Sequence, residues 1–186
     1  MLWIVVALVA GAVAYGVWVF NRLVHDRNQV AQAFADIDVQ LKRRYDLVPR
    51  LVEAVRAYAA YERATLEAVV ALRDRARQAA EQESPKGLHA ERLAAETRLG
   101  GALARLVLLQ ENYPQLKADA NFRDLAAKLV EVEDHLQYAR RFYNGAVKQY
   151  VTRLQRFPDL VVARLFGFRP AAFFETGDRD ALPVRL

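Results

Sequence analysis

The chain has 186 residues and carries 27 Lys and Arg against 22 Asp and Glu, a formal charge of +5 at neutral pH with both signs interspersed. It has no cysteine, which excludes disulfides, thiolate metal sites and a cysteine nucleophile, and only 8 glycines and 6 prolines, which argues against an architecture of strands and tight turns. A hydrophobic share of 54% is balanced by 26% charged residues to a mean hydropathy of −0.05, which excludes a polytopic membrane protein and a disordered chain alike.

The first element is apolar. Residues 1–20 contain no charged, amide or hydroxy-aliphatic side chain, and Asn21 and Arg22 end the run. Twenty helical residues span about 30 Å, the thickness of a bilayer's hydrocarbon core. A secretory signal is the competing reading, with Ala12-Val13-Ala14 resembling a cleavage site. It fails on two points: no basic segment leads the run, and the apolar residues continue through Tyr15, Val17, Trp18, Val19 and Phe20. Trp3 and Trp18 suit the two membrane interfaces. The expected segment is therefore an uncleaved single-pass anchor over 1–20 that contacts membrane lipid. Arg22 and Arg27 follow it, so the positive-inside rule gives a short outside N-terminus and a cytoplasmic body. Ala7 and Gly11, Ala10 and Ala14, and Ala12 and Gly16 are spaced i,i+4, the pattern that lets membrane helices approach. Gly11 and Gly16 are thus candidate contacts for self-association.

The body, residues 21–157, reads as helical throughout. Val30, Phe34, Ile37, Leu41, Tyr45, Val48, Val52, Val55, Ala59, Leu66 and Val69 follow a 3–4 repeat, with Glu62 its one polar member. Leu88, Ala95, Leu99, Ala102, Leu106, Leu109 and Tyr113 continue it, as do Phe122, Leu125, Leu129, Val132, Leu136, Ala139, Tyr143, Ala146, Tyr150, Leu154 and Phe157. A spacing near 3.5 belongs to helices packed at shallow angles as in coiled coils, and nothing alternates with period two. The fold class is all-α, an antiparallel up-and-down bundle. Breaks fall at Ser84-Pro85-Lys86-Gly87, at Asn112-Tyr113-Pro114 with Asp119 to Asn121, and at Phe157-Pro158-Asp159. At Pro49 the residues leave two readings open. Asp46 can cap a new helix with Pro49 in its first turn, giving four helices; a single helix kinked at Pro49 gives three.

Candidate chemistry is sparse. A di-iron bundle needs Glu-x-x-His pairs, and Val132 stands three residues before His135, so neither a metal nor another cofactor is expected. A phosphotransfer role for His89 or His135 is the enzyme-like alternative, but Glu133 and Asp134 beside His135 would repel a phosphoryl group. Asp36, Asp38, Lys42, Arg43, Arg44 and Asp46 form the densest polar cluster, either a solvated helix face laced by an Asp38–Lys42 pair or a partner-binding surface. Glu131, Glu133, Arg140, Arg141 and Asn144 read as register and solubility, and Gly100-Gly101 as a close helix contact. In the C-terminal segment, 158–186, residues 160–166 make a short apolar helix. Phe166, Phe168, Phe173 and Phe174 gather there with Phe157, near Phe142 upstream. So apolar a segment covers the bundle end, enters an oligomer interface or touches the bilayer.

The stretch Asp36-Ile37-Asp38-Val39-Gln40-Leu41-Lys42-Arg43-Arg44-Tyr45-Asp46-Leu47-Val48-Pro49 resembles the signature of the LemA family. Further resemblance runs through Glu111-Asn112-Tyr113-Pro114, Ala139-Arg140-Arg141-Phe142-Tyr143-Asn144, Phe166-Gly167-Phe168 and Phe173-Phe174-Glu175, covering about residues 21–176. Phe34, Arg50 and Tyr61 depart from the residues usual in that family, which have Trp, Asn and His. The resemblance implies an N-terminally anchored four-helix bundle with its N-terminus outside, and so favours a hairpin at Pro49. It implies no established activity and points only toward envelope maintenance and membrane proteases as partners. The resulting expectation is a non-enzymatic scaffold at the cell envelope that self-associates, with no nucleic-acid partner. An enzyme-like bundle and a membrane-remodelling protein are the alternatives.

Overall fold

The structure, a computed structural model, describes residues 1–81 and 90–174. The turn expected at Ser84 to Gly87, together with Leu88, His89 and Glu175, lies outside the described residues. Among the described residues every regular element is helical: α1 (Leu2–Arg56), α2 (Arg63–Glu81), α3 (Ala90–Leu108), α4 (Pro114–Ala118), α5 (Ala120–Gln155) and α6 (Asp159–Leu165). Short 3₁₀ turns at Ala60–Glu62 and Leu109–Glu111 join α1 to α2 and follow α3.

The chain divides into two compact units. The first comprises Met1–Ile37 and Ala139–Phe173. Its core is Leu23, Val30, Ala33 and Ile37 with Ala139, Tyr143, Val147, Tyr150 and Leu154; Val30, Ile37, Ala139, Tyr143, Tyr150 and Leu154 are on the expected apolar repeat, whereas Leu23, Ala33 and Val147 are not. Asp26, almost fully buried, accepts a hydrogen bond from Arg153 Nε at 2.5 Å, and the rings of Phe34 and Tyr143 lie 5.8 Å apart. Partner numbers fall on α5 as they rise on α1 within this unit. The Tyr143 hydroxyl donates to the Ala172 carbonyl at 2.8 Å and ties down the segment after α6. Phe157, on the apolar repeat, is exposed because α5 ends at Gln155, and Val147 is buried where the repeat had Ala146.

The second unit contains Asp38–Tyr138 and Phe174. Leu41, Tyr45, Val48, Leu51, Val52 and Val55 of α1 are buried in it, as are Leu66 and Val69 of α2 and Leu99, Leu103 and Leu106 of α3. Two expectations are corrected here. The hairpin favoured at Pro49 is absent: α1 passes through Pro49 and the chain reverses at Ala57 to Ala59, where the Ala59 amide donates to the Val55 carbonyl at 2.8 Å. Proline lacks the amide that would bond the carbonyl four residues back, here that of Tyr45. Arg73 of α2 supplies the missing donor, its Nε standing 3.3 Å from the Tyr45 oxygen. A continuous helix thus tolerates the proline because a neighbouring side chain satisfies the freed carbonyl. The second correction concerns Arg44, which is not part of a solvated face but is 1% exposed.

α5 starts cleanly. Asp119 has extended backbone angles and its Oδ1 accepts the Phe122 amide at 2.6 Å, a side-chain cap for an otherwise unpaired donor. Pro114 occupies the first turn of α4, where its missing N–H costs nothing.

Candidate functional site

Around Arg44 the second unit buries a polar cluster. The Arg44 guanidinium donates to Glu96 Oε2, and through its other terminal nitrogen to Glu133 Oε1 at 2.9 Å. The Tyr45 hydroxyl donates to Glu96 Oε1. Both oxygens of a carboxylate only 1% exposed are therefore engaged. Arg92 donates to Asp38, so the Asp38–Lys42 pairing expected along α1 is replaced by a bridge between helices. Burial pushes the Tyr45 hydroxyl above its ordinary pKa, while the Arg44 and Arg92 charges oppose the rise. Gly100 lies against this cluster; a β-carbon there would stand 3.6 Å from an Arg44 terminal nitrogen, an ordinary contact.

Three helices place these groups. Arg44 and Tyr45 continue the stripe of Ile37 and Leu41 on α1, while Arg92 and Glu96 continue that of Leu99, Leu103 and Leu106 on α3. The polar residues thus take core positions, and each needs a partner to offset its desolvation. Beside the cluster opens a groove of about 540 Å³, bordered by Lys42, Asp46, Arg73, Arg77, Glu81 and the Asp38–Arg92 pair. Arg77 is bonded to Glu81 at 2.8 Å. Four cations meet three carboxylates there, so the groove does not focus one sign of charge.

The residues singled out in the sequence scatter. Asp36, Lys42 and Arg43 are exposed on α1, Asp38 is half-buried, and Arg44 belongs to the core. Gly11 and Gly16 lie on the apolar segment, and a β-carbon added at either would meet nothing within 4 Å, so their backbone is open to another helix. Phe166 packs its ring edge-on against Phe20 at 4.9 Å, and Phe168 does so at 5.6 Å. Phe173 is exposed, whereas Phe174, grouped with it as an interaction residue, is buried in the core. Among the described residues no group of three or more His, Cys, Asp or Glu is placed to share a metal ion. Glu96, Arg92, Arg73 and Asp26 were not singled out. Only their place on the apolar repeat could have marked them.

An all-helical chain with one exposed apolar segment and a buried ion-pair cluster defines the class: a helical protein with a segment long and apolar enough to cross a membrane. The chain belongs to the LemA family, whose model matches residues 33–185. Over 92 residues it is 29% identical to the magnetosome proteins MamQ 2 and MamQ 1 of Paramagnetospirillum magneticum. It is 25% identical over 92 residues to the magnetosome protein MamQ of Magnetospirillum gryphiswaldense. The aligned stretch is 50% of this chain, and the chain spans only about a third, 34%, of each of these relatives.

Proposed function

We propose that this protein is a single-pass, membrane-anchored helical scaffold of the cell envelope, non-enzymatic, with a cytoplasmic body and self-association through the anchor. The observation that carries the reading is the exposure of the apolar end of α1. From Leu2 to Trp18 every residue but the half-buried Gly16 is exposed, and protein packing begins only at Val19. A core helix would be covered by its own protein; this one is left for lipid or another helix. An antiparallel bundle for the body is supported by the α1–α5 pairs in the first unit. The non-enzymatic reading is supported by the engagement of both Glu96 oxygens and by a groove whose cations face carboxylates in nearly equal number. General acid–base work needs a titratable group free to reach substrate.

Self-association is tested in lipid bilayers with the full chain, by counting subunits across a dilution series. Dimers or larger assemblies that loosen in the Gly11→Leu/Gly16→Leu variant, with helicity unchanged, are expected. Small residues let backbones approach, and leucines hold them apart. A monomer at every protein-to-lipid ratio overturns the self-associating scaffold.

A further inference from the structure

Helix α6 is built the wrong way round for a water-soluble helix. Its positions 159 and 163 are buried Asp159 and Ala163, while the i,i+4 pair Val161 and Leu165 is 58% and 77% exposed, and Phe157, two residues before the helix, is 77% exposed. Phe166, next in the chain, is 59% exposed. A small domain gains nothing by turning a valine, a leucine and the flanking phenylalanines into water, so another apolar medium is implied.

The fold fixes where this face lies. Phe166 and Phe168 pack on Phe20, the last residue of the apolar run. Arg153, in the last turn of α5, meets Asp26, one helical turn past Arg22 on α1, so α5 ends near the end of the apolar run. From Leu2 to Phe20 the helix rises about 28 Å, so Phe20 and Arg22 stand where hydrocarbon gives way to headgroups. The charges agree. This unit carries nine Lys and Arg against three Asp and Glu, although the whole chain is only +5. Of the three acids, Asp26 and Asp159 are buried. Arg22, Arg27, Arg156, Arg164 and Arg169 of this unit are exposed, and Arg27 is stacked over Phe168 at 5.6 Å.

We propose that the outward face of α6, formed by Val161 and Leu165 with the flanking Phe157 and Phe166, is a second membrane contact. It lies in the interface of an anionic bilayer beside the end of the apolar span. The inference rests on anchoring by that span. A second copy of this chain is the rival occupant, and the unit's excess of six cations would repel it. An anionic lipid surface attracts them, and aromatic and aliphatic side chains at headgroup depth are the usual anatomy of an interfacial helix.

Because the chain has no cysteine, single cysteines can carry a nitroxide without a background signal. Full-length protein with Leu165→Cys or Val161→Cys is reconstituted in vesicles of phosphatidylcholine with a minority of phosphatidylglycerol. Its label is probed with oxygen, which partitions into lipid, and with a nickel chelate, which stays in water. Val9→Cys reports on the anchor and Lys148→Cys on water. Labels at 165 and 161 should favour oxygen over nickel severalfold relative to 148. Omitting phosphatidylglycerol should shallow the immersion at 165 while leaving 9 unchanged. Water access at 165 and 161 with a lipid-immersed label at 9 overturns the second contact and spares the anchor. Water access at 9 overturns the anchor reading beneath it. Protection at 165 accompanied by spin–spin broadening that vanishes on dilution assigns the face to a second copy and overturns the lipid contact.

Discussion

Glu96 is the residue on which the second unit's polar core turns. Arg44 and Tyr45 occupy its two oxygens, and Arg44 reaches Glu133 as well. Removing one member of a buried ion pair leaves the other desolvated without compensation, at about 3–5 kcal/mol. Glu96→Ala should therefore lower unfolding stability by about that amount, measured by thermal or denaturant unfolding in detergent. The Arg44→Met/Glu96→Leu double variant should recover much of it, because packed apolar side chains replace buried pairs at little cost. A loss under about 1 kcal/mol in the single variant would show that the pair is hydrated rather than buried. These positions were legible only as a pattern. Arg92, Glu96, Leu99, Leu103 and Leu106 keep one 4–3 rhythm, but a reading that admits only apolar residues shifts phase to Ala95 and Ala102 and misses Leu103. Charge marked Arg44 as solvent-facing; its place in the stripe, between Leu41 and Val48, was the better guide.

Among the elements, α5 shows how a local signal sets a long helix. Asp119 accepts the Phe122 amide at one oxygen and the Tyr58 hydroxyl, at 2.9 Å, at the other. The Phe122 bond first, and the Tyr58 bond second, hold the Asp119 carboxyl below its ordinary pKa of 3.8. The same hydroxyl bond raises Tyr58. A group whose native pKa is depressed stabilises the fold above its unfolded pKa and loses that stabilisation as pH falls through the native value. Asp119→Ala should thus lower the unfolding midpoint at pH 7, with the gap to wild type closing as pH drops below 3.8. Asp119→Asn, which can still cap, should keep part of the midpoint and lose the pH dependence. A gap unchanged down to pH 2 would mean that the carboxylate charge is not what caps α5. The break before α5 and the short helix after Phe157 were both readable from proline and aspartate. The course of α1 through Pro49 was not, because its support comes from Arg73, a residue 24 positions further along whose role appears only when α2 packs back on α1.

Over the whole molecule the two units differ in charge more than in fold. The unit carrying the apolar span has an excess of six cations, so the remainder of the chain, with eighteen Lys and Arg against nineteen Asp and Glu, is close to neutral. That excess includes Arg156, Arg164 and Arg169, from the far end of the sequence, in the same unit as Arg22 and Arg27. Arg22 and Arg27 next to the span set the orientation, and anionic lipid of the cytoplasmic leaflet attracts the folded unit's cations at about 1 kcal/mol each near the surface. The body should accordingly stay inside. Exposed Arg63 and Arg77 offer cleavage sites to trypsin. Trypsin added to intact cells, or to spheroplasts where an outer membrane intervenes, should leave the body whole, and the same enzyme after permeabilisation should cut it. Fragments released before permeabilisation would place the body and its arginines outside, and would reverse the leaflet that α6 faces.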